Sequence, residues 1–422
     1  MKANERLLAA IGDVDERWIP DLTPKKKALP VKQWAIAGGG IAAALLIGFF
    51  ALRGLWEPRV PVDVPDSVPD DPAAHSADGG PEEGRGWNPE PSSDGLPKIT
   101  AEISSGGMGF EGLLEYSPDE LENGNPWREI PADVKALPVY ENLLYTDRWE
   151  EEPAVYETEE ELRRAAEEAA EKLGMTVLSL KADVLGEIRG TKRIETVNSA
   201  TAECEWEFGS ATVYVTRAGS IRTQFSDPLP FGSEEERSAA VDILSTFLGY
   251  REAVIARSGE YNIYGERDEL VKAYEDSDDP VQKLLNYSIA ASRLYETEDG
   301  TGLGTVWKYP GMDGLRYLGD YPIITVDEAL LMLLGGEYLT TVPADMLPES
   351  GITEDRIDRV ELVYRSSNRE MYAEPYYRFF VRLKEGFPAS AVEGLSDWGA
   401  YYVPAVRAEY LAEIPVWDGG FN

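Results

Sequence analysis

Histidine and cysteine are almost absent from this sequence: His75 and Cys204 are the only ones. His75 falls in a Pro- and Asp-rich tract, so histidine-based triads and multi-histidine zinc sites are excluded within one chain. A lone cysteine excludes an intrachain disulfide. Cys204 sits in AECEWEFG, where Cys204, Trp206 and Phe208 alternate with Glu203, Glu205 and Glu207. That is the period of a half-buried strand, and the thiol reads as core filling. Positive charge is scarce as well: 40 Lys and Arg stand against 77 Asp and Glu, a net of −37. Long apolar runs are missing too, with one exception.

The exception is KQWAIAGGGIAAALLIGFFALR, residues 32–53, in which the twenty residues Gln33 to Leu52 carry no charge. At ~1.5 Å per helical residue, such a run spans a hydrocarbon core of ~30 Å. Three readings compete: a cleaved signal peptide, a buried core helix and a permanent anchor. A signal peptide has a shorter apolar region, of ~7–15 residues, followed by a small-residue cleavage site. The exit here, Phe50-Ala51-Leu52-Arg53-Gly54, has no such pattern. A core helix would show a polar face, and this run has none. The anchor fits best. Lys25, Lys26, Lys27 and Lys32 precede the run while Arg53 and Arg59 follow it, which places the N-terminus in the cytoplasm. Trp34 and Trp56 flank the run where interfacial aromatics lie.

Charge divides at the same point. Residues 1–53 hold eight Lys/Arg and five Asp/Glu, a net of +3, which leaves 32 minus 72, or −40, for residues 54–422. So acidic a region does not attract nucleic acid or an anionic membrane surface. It reads first as a solvated outer surface kept soluble by repulsion.

The expected organisation is a cytoplasmic segment (1–33), a transmembrane helix (34–52), a Pro/Asp-rich stalk (53–98) and two α+β subdomains (99–250 and 251–422). The stalk has almost no apolar period and cannot bury a core. Three helices are expected in the globular part, each opened by a capping box and stopped by glycine. They are Thr158-Glu159-Glu160-Glu161 to Gly174, Ser233-Glu234-Glu235-Glu236 to Gly249, and Thr325-Val326-Asp327-Glu328 to Gly335-Gly336. Strands are expected over 175–184, 193–208 and 212–224, with a strand or pair near 253–256 and 261–264. Residues 284–294 fit a strand or a helix. At the C-terminal end, RVELVYRSSNREMYAEPYYRFFVRL reads as a hairpin, and GAYYVPAV (399–406) adds a third strand. Pro375 lacks a ladder donor and is expected at a strand start or edge. The fold class is therefore α+β, antiparallel sheets each packed with a helix.

The order TVDEALLMLLGG, RVELVYRS, EPYYRFFVRL, GAYYVPAV resembles PepSY-type and YycI-type modules, over roughly residues 320–410. There a helix precedes a strand ending in tyrosine, a strand entered through a Pro-aromatic pair, and a final strand. The whole layout is similar to single-pass regulators of Gram-positive bacteria, including YycH/YycI-type proteins and membrane-anchored anti-sigma factors. The resemblance implies a signalling role and carries no catalytic residues.

In the cytoplasmic segment, Leu7, Leu8, Ile11, Val14 and Trp18 fall close to one helical face. An isolated helix this short is marginal in water, so the stripe needs a partner: a sigma factor, a kinase or the inner leaflet. Within the span, Gly40, Ala44 and Gly48 have the small-xxx-small spacing that lets membrane helices approach, though small residues are also ordinary there. No metal, cofactor or catalytic residue is expected. YEDSDDP (274–280) lacks the EF-hand order and reads as a solvated turn. GTGLG (300–304) lacks a P-loop context and reads as a hairpin turn. Of Tyr372, Tyr376, Tyr377, Phe379 and Phe380, those on one strand face are expected in the core, and those on the other are candidates for binding glycan or peptide. Two functions remain. One is a regulator whose outer domain binds a wall component, peptide or partner ectodomain. The other is an anchored enzyme or wall accessory protein that uses carboxylate chemistry.

Overall fold

The computed structural model describes residues 95–103, 110–121, 124–127, 131, 133–146, 154–189, 192–384 and 392–415. All belong to one unit, 84–422. Leu7, Leu8, Ile11, Val14 and Trp18, the run containing Gly40, Ala44 and Gly48, and the stalk through residue 94 lie outside the described residues. Among the described residues, no helix is long and apolar enough to cross a membrane.

The elements run β1 (Gly112–Glu115), β2 (Ala136–Asn142), α1 (Glu159–Lys172), β3 (Thr176–Arg189), β4 (Lys192–Trp206), β5 (Gly209–Thr216), β6 (Ile221–Pro230) and α2 (Glu234–Leu248). Then come β7 (Ala253–Tyr261), β8 (Arg267–Glu275), α3 (Pro280–Ser288), β9 (Ser292–Glu296), β10 (Gly302–Lys308), β11 (Leu315–Pro322) and α4 (Val326–Gly335). The chain closes with β12 (Leu339–Thr340), β13 (Ile357–Arg365), β14 (Tyr372–Arg382) and β15 (Ser396–Pro404). Among the described residues, two antiparallel sheets with four helices make the fold α+β.

The three expected helices form as their end signals dictate. Thr158, Ser233 and Thr325 each accept a bond from the N–H three residues on, and Glu161, Glu236 and Glu328 reach back to the cap N–H. Each cap satisfies two donors that a helix start leaves bare. Gly249 (φ +83°) and Gly336 (φ +86°) end α2 and α4 in the left-handed region that glycine adopts without strain.

The first sheet has eight strands in the order β3-β4-β5-β6-β10-β9-β8-β7. α1 and α2 cover one face of it. Leu162, Ala165, Ala166, Ala169 and Ala170 of α1 meet Ala200, Ala202, Cys204 and Val213, and small residues on both sides let helix and sheet approach closely. Cys204 is core, as expected, and burial pushes its thiol pKa up. Two strand expectations need correction, and one open reading is resolved. Residues 212–224 form two strands, because Arg217–Ser220 turns the chain, with Gly219 at φ +85° and Ser220 N–H donating to Thr216 Oγ1. Residues 261–264 mostly form a turn, because Asn262 Oδ1 accepts from both Tyr264 N and Glu266 N; the strand that follows is β8. Residues 284–294 hold the end of a helix and the start of a strand: α3, capped by Asp279, then β9. In the acidic loop before α3, Asp276 pairs with Lys283 at 2.6 Å.

The second sheet has seven strands: β1-β15-β14-β2-β11, with β12 on β15 and β13 on β14. β13-β14-β15 is the expected meander. Pro375 is neither at an edge nor at a strand start. It lies inside β14 between the stretch paired with β2 (Tyr372, Ala373) and the stretch paired with β15 (Tyr376 onward). Its carbonyl accepts from Ala405 N, so its missing N–H faces the changeover, where no ladder bond is lost. The boundary expected at residue 250 does not coincide with a division between the sheets. The first sheet takes strands from both sides of that residue, and so does the second.

The two faces of β14 are both core. Tyr377, Phe379 and Val381 pack with α4 and α3 residues such as Ala329, Leu333 and Leu284. Tyr376 and Phe380 pack with Ile99, Ala101 and Trp398. Tyr372, Tyr376, Tyr377, Phe379 and Phe380 are all buried, so none is the surface aromatic that one-face alternation suggested. The reason is the segment from Ile99 to Ile103, which covers the second face.

Candidate functional site

In the eight-stranded sheet, register lines up one row of side chains across five strands. Tyr214 lies opposite Arg222, Arg222 opposite Trp307, Trp307 opposite Arg293, and Arg293 opposite Lys272. Their chain neighbours Val213, Val306, Leu294 and Val271 belong to the helix-facing core, so the row lies on the other face. With strands ~4.8 Å apart, Arg222 to Lys272 spans roughly 15 Å. Trp307 stacks on Tyr309, centroids 5.6 Å apart and planes at 15°. No acidic residue interrupts the row.

The seven-stranded sheet faces the β7–β9 end of this surface with cations of its own. Arg365 reaches both oxygens of Glu111, at 3.0 and 2.7 Å, and Glu370 at 2.9 Å, and lies 4.6 Å from the Tyr402 ring centre. Tyr402 donates its hydroxyl to Glu111 at 2.5 Å. Burial opposes ionisation of Glu111, but the charge and hydrogen bonds of Arg365 and the Tyr402 hydroxyl hold its pKa below the usual range. Arg378 pairs with the fully buried Glu361 at 3.2 Å. Glu361 also accepts from Asn125 Nδ2 at 2.8 Å and lies 3.4 Å from Arg359. These guanidinium groups are matched by carboxylates, as buried charges must be.

Lys272 and Arg293 are not matched. Neither has a hydrogen-bond acceptor or a carboxylate partner among the described residues; Lys272 Nζ lies 4.7 Å over the Tyr287 ring. Burial, then the charges of Arg378 and Arg293, lower the Lys272 pKa to about 8, and Glu361 offsets them in part. Two adjoining cavities between the sheets share Lys272, Arg293 and Tyr287 in their walls. The larger, of about 650 Å³, also contains Arg365 and Arg378 together with Glu111, Glu260, Asp268 and Glu269. The smaller, of about 460 Å³, has no acidic lining residue among the described residues. Its polar groups come from Asn142, Ser288, Tyr309 and Ser366–Asn368, and its apolar ones from Leu144, Ile289, Pro310 and Leu315.

Cations without partners beside hydroxyls and amides can hold an oxyanion. They do not by themselves make a nucleophile–base pair. In the larger cavity Glu260 and Asp268 are register partners on β7 and β8; burial, then Asp268, raises the Glu260 pKa. Among the described residues no cluster of His, Cys, Asp and Glu has metal-ligand geometry.

Of the residues singled out from sequence, Phe380 lines the larger cavity, and the others do not build this cleft among the described residues. Leu7, Leu8, Ile11, Val14, Trp18, Gly40, Ala44 and Gly48 lie outside the described residues, and the aromatics of β14 are core. Lys272 and Arg293 escaped sequence reasoning. The available signal was parity: in RDELVKAYE and SRLYE the cations alternate with the buried Val271 and Leu294.

No protein-family model matches this chain, and no curated protein matches it. Among solved structures it is similar to an uncharacterized protein from Eubacterium rectale, at 9% identity over 65% of this chain and 84% of that one, with a TM-score of 0.31. A likeness at that score carries no argument about function.

Proposed function

We propose that this chain is a single-pass membrane regulator. Residues 1–33 lie in the cytoplasm, 34–52 span the bilayer, and 53–98 form a stalk that holds the two-sheet part outside. A ligand or partner in the inter-sheet cleft biases a sigma factor or histidine kinase held by Leu7, Leu8, Ile11, Val14 and Trp18. Gly40, Ala44 and Gly48 supply a close-packing face for the membrane helix. The observation that carries this reading is the uncharged run Gln33–Leu52, which separates a +3 segment from a −40 one. The order α4, β13, β14, β15 supports the likeness to YycI-type and PepSY-type modules, and the cleft supports ligand recognition in place of catalysis.

Two measurements on the full chain in membranes test it. With Cys204 replaced by Ser, a single cysteine at Ser67 is expected to react with an impermeant maleimide on intact cells, and one at Thr23 only after lysis. The reverse pattern overturns the topology. A photo-crosslinker at Leu8 or Trp18 is expected to capture a sigma factor or kinase, and capture of lipid alone overturns the regulatory link.

A second reading, an anchored enzyme with carboxylate chemistry, rests on the facing pair Glu260 and Asp268. A hydrolytic activity lost in both Glu260→Gln and Asp268→Asn would favour it over the regulator.

A further inference from the structure

We propose that the smaller inter-sheet cavity binds a compact organic oxyanion, a phosphate ester or carboxylate with a short apolar body, its anionic group held between Lys272 and Arg293. The inference rests on the reading of the cleft as a ligand site and adds the chemical class of what enters it.

Partnering of charge is the main observation. In the seven-stranded sheet Arg365, Arg378 and Arg359 meet Glu111, Glu370 and Glu361. Lys272 and Arg293 stand opposite each other on adjacent strands, with Arg378 acting on Lys272 from the other sheet and Glu361 offsetting it in part, and among the described residues neither has a carboxylate within ion-pair distance. Like charges held together in a partly buried site are unfavourable until an anion neutralises them. In a chain with 77 acidic residues and 40 basic ones, a cavity with two cations and, among the described residues, no acid in its walls is a selective feature.

Size and field narrow the ligand. About 460 Å³ suits a small molecule. Leu144, Ile289, Pro310 and Leu315 offer apolar surface to its body, and Ser366 and Asn368 offer polar contacts. The surrounding net negative charge repels a long polyanion at a distance, whereas a small anion meets the local cations within a Debye length of ~8 Å. This favours a compact ligand with few charges over a nucleic acid or an anionic polymer.

The state of Lys272 makes binding depend on pH. The groups acting on it are Arg293 of its own sheet and Arg378 and Glu361 of the other, with the Tyr287 ring beneath. An anion restores its proton, so affinity falls as pH rises past about 8.

The test is calorimetric titration of the full chain in zwitterionic nanodiscs with phenyl phosphate, benzoate and neutral benzyl alcohol. The two anions are expected to bind saturably at pH 7 and benzyl alcohol not. The tighter of the two identifies the oxyanion as phosphate or carboxylate. Lys272→Met and the more exposed Arg293→Gln are each expected to weaken binding about tenfold or more, as loss of a charge-assisted contact does. Wild-type affinity is expected to fall about tenfold from pH 7 to pH 9, and that of Lys272→Met to stay flat. Equal binding of benzyl alcohol, unchanged affinity in both variants, or no saturation by either anion to about 10 mM, the range for fragments of this size, would overturn the proposal. Any of these with the Leu8 crosslink retained refutes the ligand class and leaves the anchored regulator standing.

Discussion

The two sheets solve the same packing problem differently. The eight-stranded sheet buries one face under α1 and α2 with alanine, valine and leucine, and leaves the other face of β5 and β6 largely polar. The seven-stranded sheet is buried on both faces around β14 and β15, with tyrosine, phenylalanine and tryptophan, and takes charge into its interior. Interior guanidinium groups there come in matched sets: Glu361 serves Arg378, Arg359 and Asn125, and Arg365 is shared by Glu111 and Glu370. On the open face of the one-sided sheet, Lys272 and Arg293 stand without a carboxylate partner among the described residues. The difference teaches that a cation's role follows from its partners more than from its depth.

Breaking a matched set gives the largest expected effect. Glu361→Ala strands Arg378 and Arg359 in the interior, and about 3–5 kcal/mol of stability is expected to be lost in denaturant titration. A loss under about 1 kcal/mol would mean that water or a shifted carboxylate replaces Glu361, and the contrast between the sheets would weaken.

Glu115 tests where the sheets touch. It projects from β1 beside β7, is fully buried, accepts no hydrogen bond among the described residues, and lies 3.6 Å from Arg267. Burial pushes its pKa up to about 7, Arg267 opposes this, and Glu120 and Glu260 add to it. The folded protein therefore holds more protons than the unfolded one between the ordinary glutamate range, about 4.3, and about 7. Stability is full below that window and falls as pH rises through it. Glu115→Gln is expected to raise Tm at pH 8 by a few degrees and to reduce the fall between pH 4.5 and 7. Glu374 and Asp397, pushed up to about 8 and about 6 by burial first, keep part of the slope. An unchanged Tm–pH profile would remove Glu115 from the account.

A smaller effect is expected at the helix caps. Thr158→Ala and Ser233→Ala each remove a capping box on the eight-stranded sheet, at about 1 kcal/mol apiece. The two losses are expected to add, since the caps share no partner. A cooperative loss would show that α1 and α2 depend on one another for folding.

What sequence could and could not reveal follows from the range of each interaction. Capping boxes at Thr158, Ser233 and Thr325, the glycine stops, and the meander from Val360 to Pro404 are local patterns, and all were legible. The turn at Arg217–Ser220 was hidden because its flanks continue the strand period, and only Gly219 marked it. The burial of both faces of β14 depends on Ile99, some 270 positions away. The row from Tyr214 to Lys272 depends on β6 pairing with β10, across α2, β7, β8, α3 and β9. Register between distant strands leaves no mark within either strand, so the cleft was not legible.

The most direct test of the central claim is the stability of Lys272→Met/Arg293→Met in the full chain, with phenyl phosphate and without it. The claim is that these cations are kept for a ligand and the matched ones for the fold. The account predicts a Tm equal to or above wild type without the anion, and loss of the rise that the anion gives wild type. A Tm that falls as far as in Glu361→Ala, or a variant that phenyl phosphate still stabilises, would contradict it.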